Sequence, residues 1–142
     1  FLKQLVTEDD TGSGVLNIRY PVTADGDRLL ERVKEQAASY GLTMDVTRHL
    51  RPVYFSPDDP LVRTLSGVYE KMTGDKAELL RMGAGTYARK LQGRGLAFGA
   101  GLRGGSDTNV HRPDEFIVLE EMMKHAEICL QAIYELASGP KF

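Results

Sequence analysis

The residues of this sequence that could do chemistry begin with a histidine in a polar loop. His111 lies in the segment 106–113, between a short apolar run and a long helical pattern. A loop histidine beyond the end of a buried strand can present a neutral ring nitrogen to a metal ion. One histidine cannot hold a metal alone, and no other residue of the chain forms a recognised ligand pair with it. A metal ligand and a solvated loop histidine therefore both stay open as interpretations.

A glycine-rich segment and one arginine are the next candidates. Residues 83–89 have the sequence GAGTYAR, in which the glycines permit positive φ and close backbone approach to a ligand. The spacing fits neither a Walker loop nor the dinucleotide fingerprint, so a tight turn is the alternative. Arg19 lies on the polar face of a predicted strand, where its guanidinium could capture a carboxylate or pair across a sheet. We interpret the other two histidines, His49 and His125, as structural.

A β-α-β unit is predicted for the first third of the chain. Alternating apolar and polar residues predict a half-buried strand over 15–20, preceded by a strand over 1–6 and a turn over 7–14. A helix capped by Thr23 or Asp25 follows and is predicted to stop at Gly41. Another strand is predicted over 42–47. The apolar positions of the helix are Leu29, Leu30, Val33, Ala37 and Tyr40.

The pattern changes after a proline-containing connector over 51–59. Asp59 and Pro60 predict the start of a helix that Gly74 ends. The remaining predicted elements are strands over 77–82 and 96–101, a polar loop over 104–113 and a helix over 119–137. The inward face predicted for this last helix comprises Leu119, Met122, Met123, Ala126, Leu130 and Ile133.

The composition is that of a globular domain of ordinary size. The chain has 142 residues, of which 42% are hydrophobic and 27% charged, with a formal net charge of -2. Interspersed charges argue against a nucleic-acid or membrane partner, and no apolar run is long enough to span a bilayer. The single cysteine, Cys129, excludes an intrachain disulfide and suits a reducing cytoplasm. Since the sequence starts at Phe1 rather than methionine, we expect a longer parent chain.

Three motifs, taken in order, resemble one family. They are NIRYP at 17–21, GAGTYAR at 83–89 and VHRPDEFI at 110–117. Together they resemble the C-terminal signatures of the aminoacylase, carboxypeptidase and dipeptidase family of co-catalytic zinc metallopeptidases, in its dipeptidase V-like branch. The resemblance implies an α/β fold with two parts. Residues 1–56 would end a ferredoxin-like lid that binds substrate and dimerises, contributing a β-α-β unit, and residues 57–142 would form the C-terminal segment of the zinc-peptidase α/β domain.

The resemblance also implies roles for individual residues. Arg19 matches the lid arginine that holds the C-terminal carboxylate of the substrate. Gly85 and Thr86 match a loop that contacts the substrate backbone. His111 matches the last metal ligand, and Glu115 matches a carboxylate that supports it.

The implied parent is a cytoplasmic zinc-dependent dipeptidase. It would hydrolyse dipeptides or short peptides with water activated between two zinc ions, with manganese or cobalt as alternative metals. The family's upstream His-x-Asp motif, Glu-Glu pair and aspartate ligand have no counterpart in this sequence. We therefore expect the chain alone to be metal-free and inactive, with no catalytic residue of its own, and a homodimer is compatible with the lid assignment. The alternatives are a non-catalytic ligand-sensing or dimerisation module and an amino-acid deacylase of the same fold.

Overall fold

The structure is a computed structural model that describes residues 2–9, 11–99, 101–102 and 104–139. The elements in this part follow the order β1 (Leu2–Glu8), β2 (Thr11–Leu16), α1 (Gly26–Ser39), α2 (Pro60–Thr73), a short 3-10 helix η1 (Tyr87–Leu91) and α3 (Leu119–Ser138). A two-stranded antiparallel sheet and α-helices together confirm the predicted mixed α/β class. The described chain divides into two units. Unit 1 runs to Tyr54 and includes Gly83–Gly85, and unit 2 comprises Phe55–Met82 and the chain from Thr86 onward.

The β1–β2 hairpin lies nearer the N-terminus than the sequence pattern predicted. The register pairs Glu8 with Thr11 around a tight turn, in which Asp9 has a left-handed φ of 47°. Because β2 ends at Leu16, residues 17–20 lie outside the strand that was predicted to contain them. All side chains of β1 and β2 are exposed, so the half-buried face predicted for the strand over 15–20 is wrong for β2. Backbone pairing across the hairpin defines both strands.

Helix α1 begins and ends where its local signals place it. The Asp25 side chain caps the N-terminus by accepting hydrogen bonds from the N–H groups of Asp27 and Arg28, over 3.0 and 3.1 Å. Gly41 follows the C-terminus with a left-handed φ of 73°, which confirms the predicted stop. Tyr40 is 75% exposed, so its predicted inward position is wrong. The half-buried apolar positions are Leu29, Leu30, Val33 and Ala37.

The three later strands that the sequence predicted are not formed in the described residues. No strand is formed by residues 42–47, by residues 77–82 or by the described part of 96–101. Two residues of the predicted strands lie outside the described residues, namely Phe1 of the first strand and residue 100 of the last. A strand needs a neighbouring strand to accept its backbone hydrogen bonds, and the described sheet holds β1 and β2. Leu96 and Phe98 instead lie partly buried against the core of unit 2.

The core of unit 2 lies between α2 and α3. Helix α2 starts as predicted, since the Asp59 side chain accepts from the Leu61 N–H over 2.9 Å and Pro60 takes the first helical position. It ends at Gly74 with a left-handed φ of 78°. The buried residues that pack together between the two helices are Leu65, Val68, Ile128 and Ala132. Ile128 is 1% exposed, so removal of its side chain from water contributes about 1.5–3 kcal/mol.

Helix α3 has the predicted position but turns a different face to the core. Ile128 and Ala132 are buried, whereas the face predicted to be inward is exposed. Leu130, for example, is 69% exposed and Ile133 65%. The remaining exposed members of that predicted face are Leu119, Met122, Met123 and Ala126. No helix in the part of the chain that the structure describes is long and apolar enough to cross a membrane.

Candidate functional site

Arg19 reaches the glycine-rich segment within unit 1. Its Nη1 atom donates a hydrogen bond to the carbonyl oxygen of Gly83 over 3.0 Å, although 64 positions separate the two residues. Arg19 is exposed and follows β2, which corrects its predicted place on a strand face. A guanidinium carries five N–H donors in a planar fork, so a bond to one carbonyl orients the group and leaves donors for a carboxylate.

The glycine-rich segment is an irregular turn that leads into η1. Gly85 is exposed, and Thr86 is half-buried with extended backbone angles, φ -104° and ψ 166°. Neither Gly83 nor Gly85 is among the glycines with positive φ, so the conformational freedom expected of them is not used. A Cβ atom built on Gly83 would meet no other atom within 4 Å. The turn therefore presents open backbone at the point where Arg19 binds.

His111 lies in a loop of unit 2 that is organised by carboxylates. Its backbone N–H donates to Oε2 of Glu115 over 3.2 Å. Asp107 accepts from Nη2 of Arg112 at 2.7 Å to each oxygen, and its Oδ1 also accepts from the Asn109 N–H at 3.1 Å. The Arg112 guanidinium, aided by this N–H, holds the pKa of the Asp107 carboxyl below its usual value. Glu115 thus contacts the backbone of His111.

The backbone around His111 is left-handed at three positions. Asn109, His111 and Asp114 have φ values of 58°, 62° and 58°. Asparagine, aspartate and histidine are the side chains that most often tolerate this region, so the sequence fits the loop. An apolar residue at these positions would be strained by about 1–3 kcal/mol. The loop therefore holds His111 in a conformation that few residue types adopt.

Helix α3 fastens the start of this loop. The N–H and the hydroxyl of Ser106 both donate to Oε1 of Glu121, over 3.0 and 2.9 Å. Glu121 lies in the first turn of α3, where a carboxylate also interacts favourably with the helix dipole. The two hydrogen bonds from Ser106 to Glu121 tie the start of the His111 loop to α3 of the same unit.

A cluster beside Arg19 was missed by reasoning from the sequence. The Tyr20 hydroxyl lies 2.6 Å from Nε2 of His49, and Nδ1 of His49 lies 3.5 Å from Oδ1 of Asp27. Oδ2 of Asp27 accepts from Nη2 of Arg51 over 2.7 Å. The one available signal was the position of Tyr20 directly after Arg19 in the motif at 17–21. Nothing in the sequence brings His49 or Asp27 to it.

The described residues do not complete a metal site. They contain no group of three or more His, Cys, Asp or Glu residues that could hold an ion, and His111 by itself supplies one ligand. His125, the third histidine, lies 3.5 Å from the Sγ atom of Cys129. Two clefts lie on α2, and neither is lined by Arg19, Gly85, Thr86 or His111. A zinc centre therefore does not follow from the geometry of this chain.

Comparison with known proteins places these residues in a family context. Residues 5–135 match peptidase family M20/M25/M40. The chain is 40% identical over 130 residues to "Putative dipeptidase YtjP" of Bacillus subtilis (strain 168), a match that covers 92% of this chain and 27% of that protein. It is 33% identical over 134 residues to "Putative dipeptidase SSP1012" of Staphylococcus saprophyticus, with 93% and 28% covered. The chain thus spans about a quarter of the length of these relatives. No solved structure gives a significant match.

Proposed function

This chain belongs to peptidase family M20/M25/M40, and we propose that it is the C-terminal portion of a metal-dependent dipeptidase that hydrolyses short peptides. Relatives whose names include the word dipeptidase, at 33–40% identity over nine tenths of the chain, support this activity. The observation in the structure that carries the proposal is the hydrogen bond from Arg19 to the Gly83 carbonyl. It joins Arg19 of the motif at 17–21 to Gly83, the first residue of the motif at 83–89, within unit 1.

In the proposed site, Arg19 binds the C-terminal carboxylate of the peptide. A guanidinium pairs with a carboxylate through two parallel N–H···O bonds, and such charge-assisted pairs fix orientation as well as add affinity. The bond to Gly83 holds the guanidinium before substrate arrives. Less side-chain freedom is then lost on binding, which favours affinity. A free carboxylate at a set distance from the cleaved bond is what distinguishes a dipeptide from a longer chain.

Gly85 and Thr86 are proposed to contact the substrate backbone. Gly85 is exposed and has no side chain, and Thr86 has extended backbone angles. An extended segment can exchange N–H and C=O hydrogen bonds with a peptide as a strand does. These contacts would align the substrate, while Arg19 sets its direction.

His111 is proposed as one ligand of a metal centre whose other ligands lie outside this chain. A neutral imidazole is a common zinc ligand, and the loop around His111 holds it through Glu115 and Asp107. When bound, two zinc ions, or manganese or cobalt in their place, would supply an activated water. The chain's own part would be to offer one ring nitrogen on an organised loop.

The division of the chain supports a lid over residues 1–56 and a catalytic segment over 57–142. Unit 1 ends at Tyr54 and unit 2 begins at Phe55, two residues before the proposed boundary. Gly83–Gly85 departs from this division, since it groups with unit 1, where the Gly83 carbonyl accepts the hydrogen bond from Arg19. We further propose a cytoplasmic location, with Cys129 as a free thiol, and dimerisation through the lid.

The test of this function compares two substrates of the full-length protein. Arg19→Ala is expected to raise KM for a dipeptide by about 10- to 150-fold, because a hydrogen bond to a charged group is lost. The same change is expected to leave turnover of the matching dipeptide amide unaltered, since that substrate has no terminal carboxylate. Arg19→Lys, which keeps the charge but not the fork, should restore part of the loss.

The matched control is Arg32→Ala, which removes an exposed arginine of α1 in the same unit. Unchanged KM values for Arg32→Ala are expected with both substrates. An N-acyl amino acid assayed in parallel separates a dipeptidase from a deacylase. Equal loss with the dipeptide and its amide, or unchanged kinetics for Arg19→Ala, would remove Arg19 from the site.

A further inference from the structure

We propose that Asp27, His49 and Tyr20 form a relay of polar contacts that positions Arg19, so that Tyr20 and His49 control substrate affinity without touching the substrate. This inference rests on the proposed role of Arg19 in carboxylate binding. It assigns a function to a cluster in unit 1 that the proposed dipeptidase site does not include.

The relay joins three separate segments of unit 1. Tyr20 lies directly after Arg19, Asp27 lies in the first turn of α1, and His49 lies beyond that helix. The Tyr20 hydroxyl and Nε2 of His49 are 2.6 Å apart, and the two rings are tilted by 47° with centroids 5.9 Å apart. Tyr20 is half-buried, and the His49 side chain is 23% exposed. A short hydrogen bond that is partly shielded from water holds its partners more strongly than an exposed one.

The direction of the Tyr20–His49 hydrogen bond follows from the charge of Asp27 on the other side of the imidazole ring. Oδ1 of Asp27 lies 3.5 Å from Nδ1 of His49, and Arg51 holds the other carboxylate oxygen at 2.7 Å. A negative oxygen on this side favours the tautomer with its proton on Nδ1. Nε2 is then an acceptor, and the Tyr20 hydroxyl donates to it. Tyr20→Phe therefore removes the donor and leaves His49 in place.

The packing around Tyr20 leaves little room for another arrangement. A Cβ atom built on Gly26 would clash with Oη and Cζ of Tyr20 and would lie 2.9 Å from Nε2 of His49. The absence of a side chain at Gly26, the first residue of α1, is what lets the ring and the helix N-terminus approach. The tyrosine side chain is thus held at its hydroxyl end by the close approach of Gly26 and by the hydrogen bond to His49.

Arg19 is the residue that this fixation affects most directly. Strand pairing ends at Leu16, so the hairpin does not set the backbone direction at Arg19. The backbone of Tyr20 is bonded to that of Arg19, and the relay holds Tyr20 against α1. On the other side, the Arg19 guanidinium is held by Gly83. Loss of the relay should let the Arg19 backbone move and misdirect the guanidinium.

The experiment uses the full-length protein with Tyr20→Phe and, as the matched control, Tyr40→Phe, whose ring is 75% exposed in the same unit. Tyr20→Phe is expected to raise KM for a dipeptide by about 2- to 12-fold, the worth of one hydrogen bond, with kcat unchanged. It should have no further effect in an Arg19→Ala background and none on the dipeptide amide. Tyr40→Phe should match the wild type.

A second measurement tests the relay without an activity assay. Nitrogen-15 relaxation of the Arg19 Nε–H reports the mobility of its side chain. We expect Tyr20→Phe to increase that mobility and Tyr40→Phe to leave it unchanged. If mobility and KM are both unaltered by Tyr20→Phe, or if its effect on KM persists in the Arg19→Ala background, the relay does not act through Arg19. If the wild-type protein cleaves no dipeptide but Tyr20→Phe still increases the mobility of the Arg19 side chain, the proposed function is refuted and the relay is supported.

Discussion

Gly26 provides a direct test of the packing around Tyr20, through the variant Gly26→Ala. The new methyl group would overlap the Tyr20 ring and lie 2.9 Å from Nε2 of His49. If the ring moves aside, the Tyr20–His49 hydrogen bond is lost, at a cost of about 0.5–1.5 kcal/mol. If it stays, overpacking costs about 1–3 kcal/mol. We expect the free energy of unfolding of unit 1 to fall by about 0.5–3 kcal/mol, because Gly26 is the first residue of α1, where the helix propensity of alanine offsets little of this cost.

The matched control is Gly67→Ala in α2. A Cβ atom at Gly67 would meet no atom within 4 Å, and its φ is not positive. Alanine in a helix interior is more stable than glycine by about 0.5–1 kcal/mol, so this variant should stabilise α2. Opposite signs are therefore expected for the same chemical substitution at two helical glycines.

Native-state hydrogen exchange is the suitable assay, because it reports each helix separately when a chain has two units. Exchange at the Val33 amide follows α1, and exchange at the Leu65 amide follows α2. In a Tyr20→Ala background, Gly26→Ala should no longer destabilise α1 through this overlap, because the ring that causes the clash is gone. Protection of α1 that is unchanged or increased in Gly26→Ala would refute the described packing of Tyr20.

Two further predictions concern His111 and the face of α3. In the full-length protein, His111→Gly, which tolerates the left-handed φ of 62°, is expected to reduce bound metal by elemental analysis, whereas Asn109→Gly in the same loop should not. If His111→Gly binds as much metal as the wild type, His111 is an ordinary loop histidine. In this chain, Ile128→Ala is expected to cost about 2–5 kcal/mol of unfolding free energy in urea denaturation, and the exposed Leu130→Ala about 0.5 kcal/mol. Equal losses at both positions would contradict the described core.

Local signals in the sequence predicted the helices well. The caps at Asp25 and Asp59 and the stops at Gly41 and Gly74 are decided by a few neighbouring residues, which the sequence contains in full. The site motifs are of the same local kind: each is a short run with its own composition. The spatial arrangement of the motifs, by contrast, is not encoded locally. The Arg19–Gly83 contact spans 64 positions, and only the resemblance to a family suggested that the two belong together.

The wrong predictions share a physical cause, which α3 illustrates. Apolar residues recur at helical spacing on two sides of this helix, one through Ile128 and Ala132 and the other through Leu130 and Ile133. Periodicity establishes that a helix has an apolar side, but the partner decides which side is covered. Here the partner is α2, and it covers the side that carries Ile128 and Ala132. The predictions of strands after α1 are wrong for the same reason. Alternation of apolar and polar residues shows that a segment suits a sheet, but a strand exists only where a neighbouring backbone accepts its hydrogen bonds. The Tyr20–His49 contact belongs to this class as well: it depends on Gly26 leaving space between segments, and no pattern within either segment encodes that space.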